Sequence, residues 1–166
     1  MLGNFSFVIP GRLAGSAWPK GTPDEVVPEV QRHGFKTIVN LTENPHPAAE
    51  ALQEAGIQAV HMPVLDFAAP SVEQMDQFAR LVLDDARAPL LVHCRAGIGR
   101  TGTMLAVGLV ALARAQLLEA EGAAAAVGPD GDVVAFLRTL RNGALEVPDQ
   151  EAAFQQWRNL YSAAPQ

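Results

Sequence analysis

The sequence predicts an α/β fold, a central and mostly parallel sheet flanked by helices, and three observations carry that expectation. Short β-rich runs alternate with stretches of helical periodicity, the rhythm of β-α-β units. A strand of buried type at 89–93 runs straight into a glycine loop and then an apolar helix. With 49% of its 166 residues apolar, the chain has material for one sizeable core and too little for two, so residues 1–166 read as a single domain.

Each element has its own signal. Phe5 to Ala14 alternates around Pro10-Gly11, which reads as two short strands at a sheet edge. Thr22-Pro23-Asp24-Glu25 supplies a cap, a first-turn proline and a capping-box glutamate, predicting a helix to about Gly34. Lys36 to Leu41 follows as a strand, Pro47 to Ala55 as a helix closed by Gly56, and Ile57 to Met62 as a strand. Ser71 with Gln74 opens a long helix whose Val72, Met75, Phe78 and Val82 share one face, leaving Glu73, Asp76, Asp84 and Asp85 to water. Pro89 to His93 is a short buried strand, and Gly99 to about Leu118 an apolar helix with Met104 and Leu105 in the core.

Downstream, 119–132 reads as a helix end plus a surface loop, rich in alanine and ending in Gly128-Pro129-Asp130-Gly131. Two more helices follow: Val133 to Arg141, stopped by Asn142-Gly143, and Pro148 to Tyr161, with Phe154, Trp157 and Tyr161 at core spacing. Arg138 and Arg141 read as the exposed basic end of a helix, and Arg12 as an exposed cation.

Composition excludes several classes. A formal net charge of −6 argues against a nucleic-acid binder held by a broad basic surface. Met1-Leu2-Gly3-Asn4-Phe5 has neither a basic nor a continuous apolar region of a secretory signal, so the expected address is the cytoplasm. The longest apolar run, Met104 to Ala113, is too short for a bilayer, and no membrane partner is expected. Histidines 33, 46, 61 and 93 lack a helical metal-ligand spacing and the lone cysteine cannot complete a zinc set, so neither a metal nor another cofactor is expected.

That cysteine cannot form an internal disulfide, which leaves it inert in the core or reactive in a site. Its surroundings decide between the two. In Val92-His93-Cys94-Arg95-Ala96-Gly97-Ile98-Gly99-Arg100-Thr101-Gly102, a thiol and a guanidinium bracket a glycine loop between a strand and a helix. Gly97 and Gly99 let the backbone curl so that successive amides point inward, with Arg95, Ala96 and Ile98 completing the loop, and the following helix adds its positive end. Such an anion cradle favours the thiolate of Cys94. Arg100 offers a planar fork for two oxygens of one phosphate.

The Cys-x5-Arg loop, preceded by His93 and followed by Thr101, resembles the signature of the cysteine-based protein tyrosine phosphatases. Asn4 to Ala17, Asn40-Leu41-Thr42-Glu43, Pro63-Val64-Leu65-Asp66-Phe67, the helix after Ser71 and the tail from Glu146 to Phe154 are similar to small atypical dual-specificity phosphatases. The segment 119–132 departs from that pattern by its length, and no role is carried onto it.

The resemblance implies hydrolysis of a phosphorylated protein or small phosphomonoester through a phosphocysteine, with no metal. Cys94 is the matching nucleophile, Arg100 the phosphate clamp, and Asp66 the acid that protonates the leaving oxygen and later acts as base. Asp76, Asp84 and Asp85 compete for the acid role, but each fits a solvated helix face. Thr101 matches a hydroxyl that stabilises the leaving thiolate and Gln150 a position that in some relatives helps place water, while His93 is read as a support residue for the loop and Arg95 adds charge at the pocket rim.

Three rival readings meet the same residues. Gly97-Ile98-Gly99-Arg100-Thr101-Gly102 formally matches G-x-G-x-x-G, yet Glu119 and Glu121 end a helical run where a dinucleotide fold needs a strand ending in an acid. A phosphate-binding module without turnover would be expected to lack the nucleophile, clamp or acid. A persulfide-carrying sulfur transferase fits the Gly-x-Gly-Arg-Thr run less naturally. Phosphotyrosine, phosphoserine or phosphothreonine, lipid and nucleotide substrates stay open, as does oligomeric state.

Overall fold

In the computed structural model, which describes residues 1–118, 127 and 131–163, five strands form one sheet in the order β1-β2-β5-β3-β4. β1 (Ser6–Ile9) and β2 (Leu13–Ser16) form an antiparallel hairpin at one edge. β3 (Thr37–Asn40), β4 (Gln58–His61) and β5 (Leu90–His93) continue the sheet in parallel with β2. The α/β expectation holds, with the antiparallel edge strand as its one non-parallel member.

Side chains alternate across the sheet and build two cores. Leu13, Val39, Leu90 and Val92 face a layer of α3 (Val72–Leu83), α4 (Gly99–Arg114), α5 (Val133–Leu140) and α6 (Pro148–Ala163). Ala14, Ile38 and Leu91 face the smaller layer of α1 (Pro23–Arg32) and α2 (Ala49–Glu54). β3 and β5 are buried at every position, as strands covered on both faces must be, although β3 carries polar Thr37 and Asn40 at its ends.

The helix starts follow their local chemistry. The Thr22 N–H donates to Glu25 Oε2 at 2.8 Å, and the Gln74 N–H donates to Ser71 Oγ at 3.2 Å while Gln74 Oε1 receives the Ser71 N–H at 3.0 Å. One helix end differs from expectation: α4 stops at Arg114 instead of running to about Leu118. Gln116 takes a left-handed φ of 59°, and the Leu117 N–H closes back onto Leu112 O at 2.8 Å, a turn that caps a helix without glycine. The expectation for 119–132 falls largely outside the described residues.

Three charged residues expected in water are not free there. Asp76 accepts the Trp157 indole N–H at 2.8 Å. Arg12 lies against α3, donating to Asp85 at 2.7 Å and to Val82 O at 3.1 Å. Arg141 is only 4% exposed and turns inward, while Arg138 stays at the surface and ties the turn after α5 through Ala144 O and Leu145 O. The helical period at Arg138 and Arg141 predicts a shared face, but α5 ends at Leu140, so Arg141 leaves along a different direction.

The sheet topology places the site. Ser16, His93, Asn40 and His61 stand in one row at the carboxyl ends of the parallel strands. β5 lies between β2 and β3, so the chain leaves the sheet in opposite directions on its two sides. The crevice beyond such a row is where α/β folds bind ligands.

Candidate active site

The first residue beyond β5 is Cys94, which is 3% exposed, and its Sγ accepts the Gly97 N–H at 3.3 Å. Gly97 has a φ of +73°, and a Cβ there would lie 2.5 Å from the backbone of Ser16 and Ala17. Only glycine lets the loop curl this tightly against β2. The loop ends where α4 begins, at Gly99, so the helix N-terminus faces the same point.

Arg100 leaves the first turn of α4 and is 2% exposed. Its Nη1 donates to Val64 O at 2.7 Å and to Glu43 Oε2 at 3.0 Å, and its Nη2 donates to Asp66 Oδ1 at 2.8 Å. Glu43 receives the Asp66 N–H at 3.0 Å on its other oxygen. Its carboxyl is held below the ordinary carboxylate range, first by its own backbone amide and then by Arg100, with the Asp66 N–H adding to both. Glu43 therefore joins the loop after β3, the loop after β4 and α4.

Asp66 belongs to a loop anchored at both ends: Gln74 Nε2 donates to Pro63 O at 2.8 Å and Gln150 Nε2 to Ala68 O at 3.1 Å. Cys94, Arg95, Arg100, Asp66 and Gln150 line one cavity of about 130 Å³, together with Glu146 and Phe67. Water takes about 30 Å³ per molecule in the liquid, so the cavity has room for a small oxyanion beside the sulfur.

A family model described as PTP-SAK, Swiss Army Knife protein, DSP-PTPase phosphatase domain, matches residues 2–154. The chain belongs to this family. Among proteins similar to this phosphatase domain, the tyrosine-protein phosphatase cdc-14 of Caenorhabditis elegans is 26% identical over 171 residues, covering 96% of the chain and 22% of the worm protein. The chain spans between 22% and 32% of the length of such cdc-14-type relatives. Among solved structures, Tk-PTP in its active form is 29% identical with a TM-score of 0.70, covering 96% of this chain and 99% of that one. The catalytic core of the PP-IP phosphatase SIW14 from S. cerevisiae shares the fold, with a TM-score of 0.64 at 21% identity over 96% of this chain and 86% of that one.

Within the phosphatase domain the remaining candidates fall into place around the loop. Arg95 and Ala96 are exposed at the rim, Ile98 is half-buried, and Gly99 is buried beneath Gln150, whose amide would lie 2.7 Å from a Cβ at that position. Thr101 is fully buried and its hydroxyl has no hydrogen-bond partner among the described residues. His93 is fully buried, with Nδ1 at 3.4 Å from Cys94 O. Burial, reinforced by neighbouring His46, pushes its pKa down to about 3, so the ring is neutral at physiological pH. With a carbonyl opposite Nδ1, that nitrogen carries the proton.

Glu43 and Arg141 are among the neighbours of the site that the sequence reading does not mark as functional residues. Glu43 carried a signal, since an acid just past the carboxyl end of a parallel strand stands where such folds place their chemistry. Arg141 carried none: nothing local distinguishes it from the surface arginine three residues earlier.

Among the described residues no helix is long and apolar enough to cross a membrane.

Proposed function

We propose that residues 1–166 form one catalytic domain that hydrolyses phosphomonoesters, phosphoprotein first among them, through a phosphocysteine on Cys94 and without a metal ion. The convergence of Cys94, Arg100 and Asp66 on one cavity, with an inward amide already at the sulfur, is the observation that supports this reading most.

The thiolate of Cys94 attacks phosphorus as the bond to the leaving oxygen breaks, and Asp66 gives that oxygen its proton. Arg100 and the loop amides of 95–99 hold the three equatorial oxygens, the charge that spreads in the transition state. Water, placed by Gln150, then attacks phosphorus, passes a proton to Asp66 and expels the thiolate with inorganic phosphate. The uncommitted hydroxyl of buried Thr101 is available to that thiolate, and neutral His93 keeps the Cys94 carbonyl in place.

The cavity walls favour a monoester on an apolar or peptide body over a polyanion. Its lining sets the acidic side chains of Asp66 and Glu146 beside the cations Arg95 and Arg100. Leu65 and Phe67, 71% and 60% exposed, flank the acid and offer an apolar lip. SIW14 shares the fold, so a non-protein phosphate is the second reading, but an inositol pyrophosphate would bring several further charges against Glu146. The lone thiol fits a reducing compartment, and the cytoplasm is the address that goes with this reading.

The purified protein should hydrolyse p-nitrophenyl phosphate in the presence of a chelator and be inhibited by vanadate, and Cys94→Ser should abolish turnover. Equal rates for Cys94→Ser and wild type would remove the nucleophile and the mechanism with it. A panel of phosphopeptides, phosphoinositides and inositol pyrophosphates decides between the two substrate classes.

A further inference from the structure

Everything assigned above to the phosphate lies on the inner side of the loop 94–100. Its outer side is held as well. The Gly97 amide turns inward to the sulfur, while three carbonyls in succession turn outward and meet a donor from another part of the chain. Arg95 O accepts the Trp18 N–H at 3.1 Å. Ala96 O accepts Asn4 Nδ2 at 3.0 Å. Gly97 O accepts Asn4 Nδ2 at 3.2 Å and Arg141 Nη2 at 2.7 Å.

Arg141 also grips what lies behind the loop. Its Nη1 donates to Ser6 Oγ at 2.7 Å and to Gly15 O at 3.0 Å, and its Nη2 donates to Asn4 O at 2.7 Å. One buried guanidinium thus links the loop, both strands of the edge hairpin region and the residue that supplies the other clamp. Its charge is close enough to be felt from the sulfur: burial pulls the Arg141 pKa down while the negative form of Cys94 pulls it up.

We propose that Asn4 and Arg141 are positioning residues for oxyanion binding, tying the outward carbonyls of Ala96 and Gly97 so that the amides of the same peptide units stay aimed at the phosphate site. The reason is covalent. The carbonyl of Ala96 and the N–H of Gly97 belong to one planar peptide unit, so fixing one end fixes the other. That N–H is the one already directed at Cys94 Sγ. The carbonyl of Gly97 is coupled to the Ile98 amide in the same way. The inference rests on the phosphatase reading above and adds two residues that touch neither substrate nor sulfur.

Asn4 makes the clean test because it is exposed and sits at a left-handed φ of 46°, which Asn, Asp and Gly all tolerate. Asn4→Gly keeps that backbone and deletes both donated bonds. Asn4→Asp keeps backbone and shape but turns the donor into an acceptor facing two carbonyls. Arg141→Lys keeps the charge and loses the planar fork. For each, the inhibition constant of tungstate, KM and kcat for p-nitrophenyl phosphate, and the melting temperature are measured.

Both Asn4 variants should raise the tungstate constant and KM together by about tenfold, with Asn4→Asp at least as impaired as Asn4→Gly. Arg141→Lys should shift the same two constants in the same direction. A residue that merely stabilised the fold would lower melting temperature and the active fraction, leaving KM and the tungstate constant of the folded protein alone. Asn4 variants that bind tungstate within twofold of an active wild type overturn the proposal only, whereas a wild type that neither hydrolyses the ester nor binds tungstate overturns the phosphatase reading beneath it.

Discussion

Arg100 Nη2 donates to Asp66 Oδ1 at 2.8 Å, so the two side chains proposed as clamp and acid are bound to each other. A phosphate bound by Arg100 competes with Asp66 for the same guanidinium. On the proposed mechanism substrate binding is an exchange on one guanidinium: oxyanion on, carboxylate off, and Asp66, freed from the ion pair, takes up the proton that it then gives to the leaving oxygen.

That exchange predicts opposite effects on binding and turnover. Asp66→Ala removes a competing anion from Arg100 and should bind tungstate several-fold more tightly than wild type. Its kcat should fall strongly on alkyl or phenyl phosphate and far less on p-nitrophenyl phosphate, whose leaving group needs no proton. A loss independent of the leaving group would take Asp66 out of the acid role.

Glu43 holds Arg100 at 3.0 Å and the Asp66 amide at 3.0 Å, so it sets both partners of the exchange. Glu43→Ala should reduce kcat/KM by tenfold or more and flatten the leaving-group dependence, because clamp and acid lose register together. Steady-state kinetics on the same ester series checks this.

Arg100→Lys replaces a fork by a point charge on a flexible stem. Roughly two orders of magnitude in kcat/KM should go, with no gain on adding guanidine unless the pocket admits it in the same plane. A variant with near-normal turnover would place the clamp elsewhere.

Stability should depend on pH through His93. Its folded pKa is depressed from the ordinary 6.5 to about 3, so between those values the unfolded chain takes a proton that the folded protein refuses. The stabilisation is fully present above about pH 6.5 and is lost as pH falls through that window, at about 1.4 kcal/mol per pH unit for one proton. His46, also lowered by burial, acts in the same direction. Urea unfolding between pH 7 and pH 5 should show this slope in wild type, and His93→Asn should lose about one proton's share of it. An unchanged slope would mean that His93 is protonated in the folded state.

The elements and the cysteine loop between β5 and α4 were legible because their signals are local. Ser71 and Gln74 cap the same helix turn, β5 announces itself as a short apolar run, and Cys94 and Arg100 are six residues apart on one continuous loop and helix turn. Local geometry of that kind is written in the order of residues. Asp66, which the structure sets against Arg100, was singled out through resemblance and not through periodicity.

What only the tertiary structure decided is which distant groups meet. Glu43 is 57 residues from Arg100, Arg141 is 44 from Gly97 and Asn4 is 92 from Ala96. No periodicity links such pairs, and a buried arginine looks like a surface one until its acceptors arrive. The acceptors here are backbone carbonyls, which every residue carries and no sequence marks, so their pairing with Arg141 and Asn4 exists only once the sheet and α5 have packed.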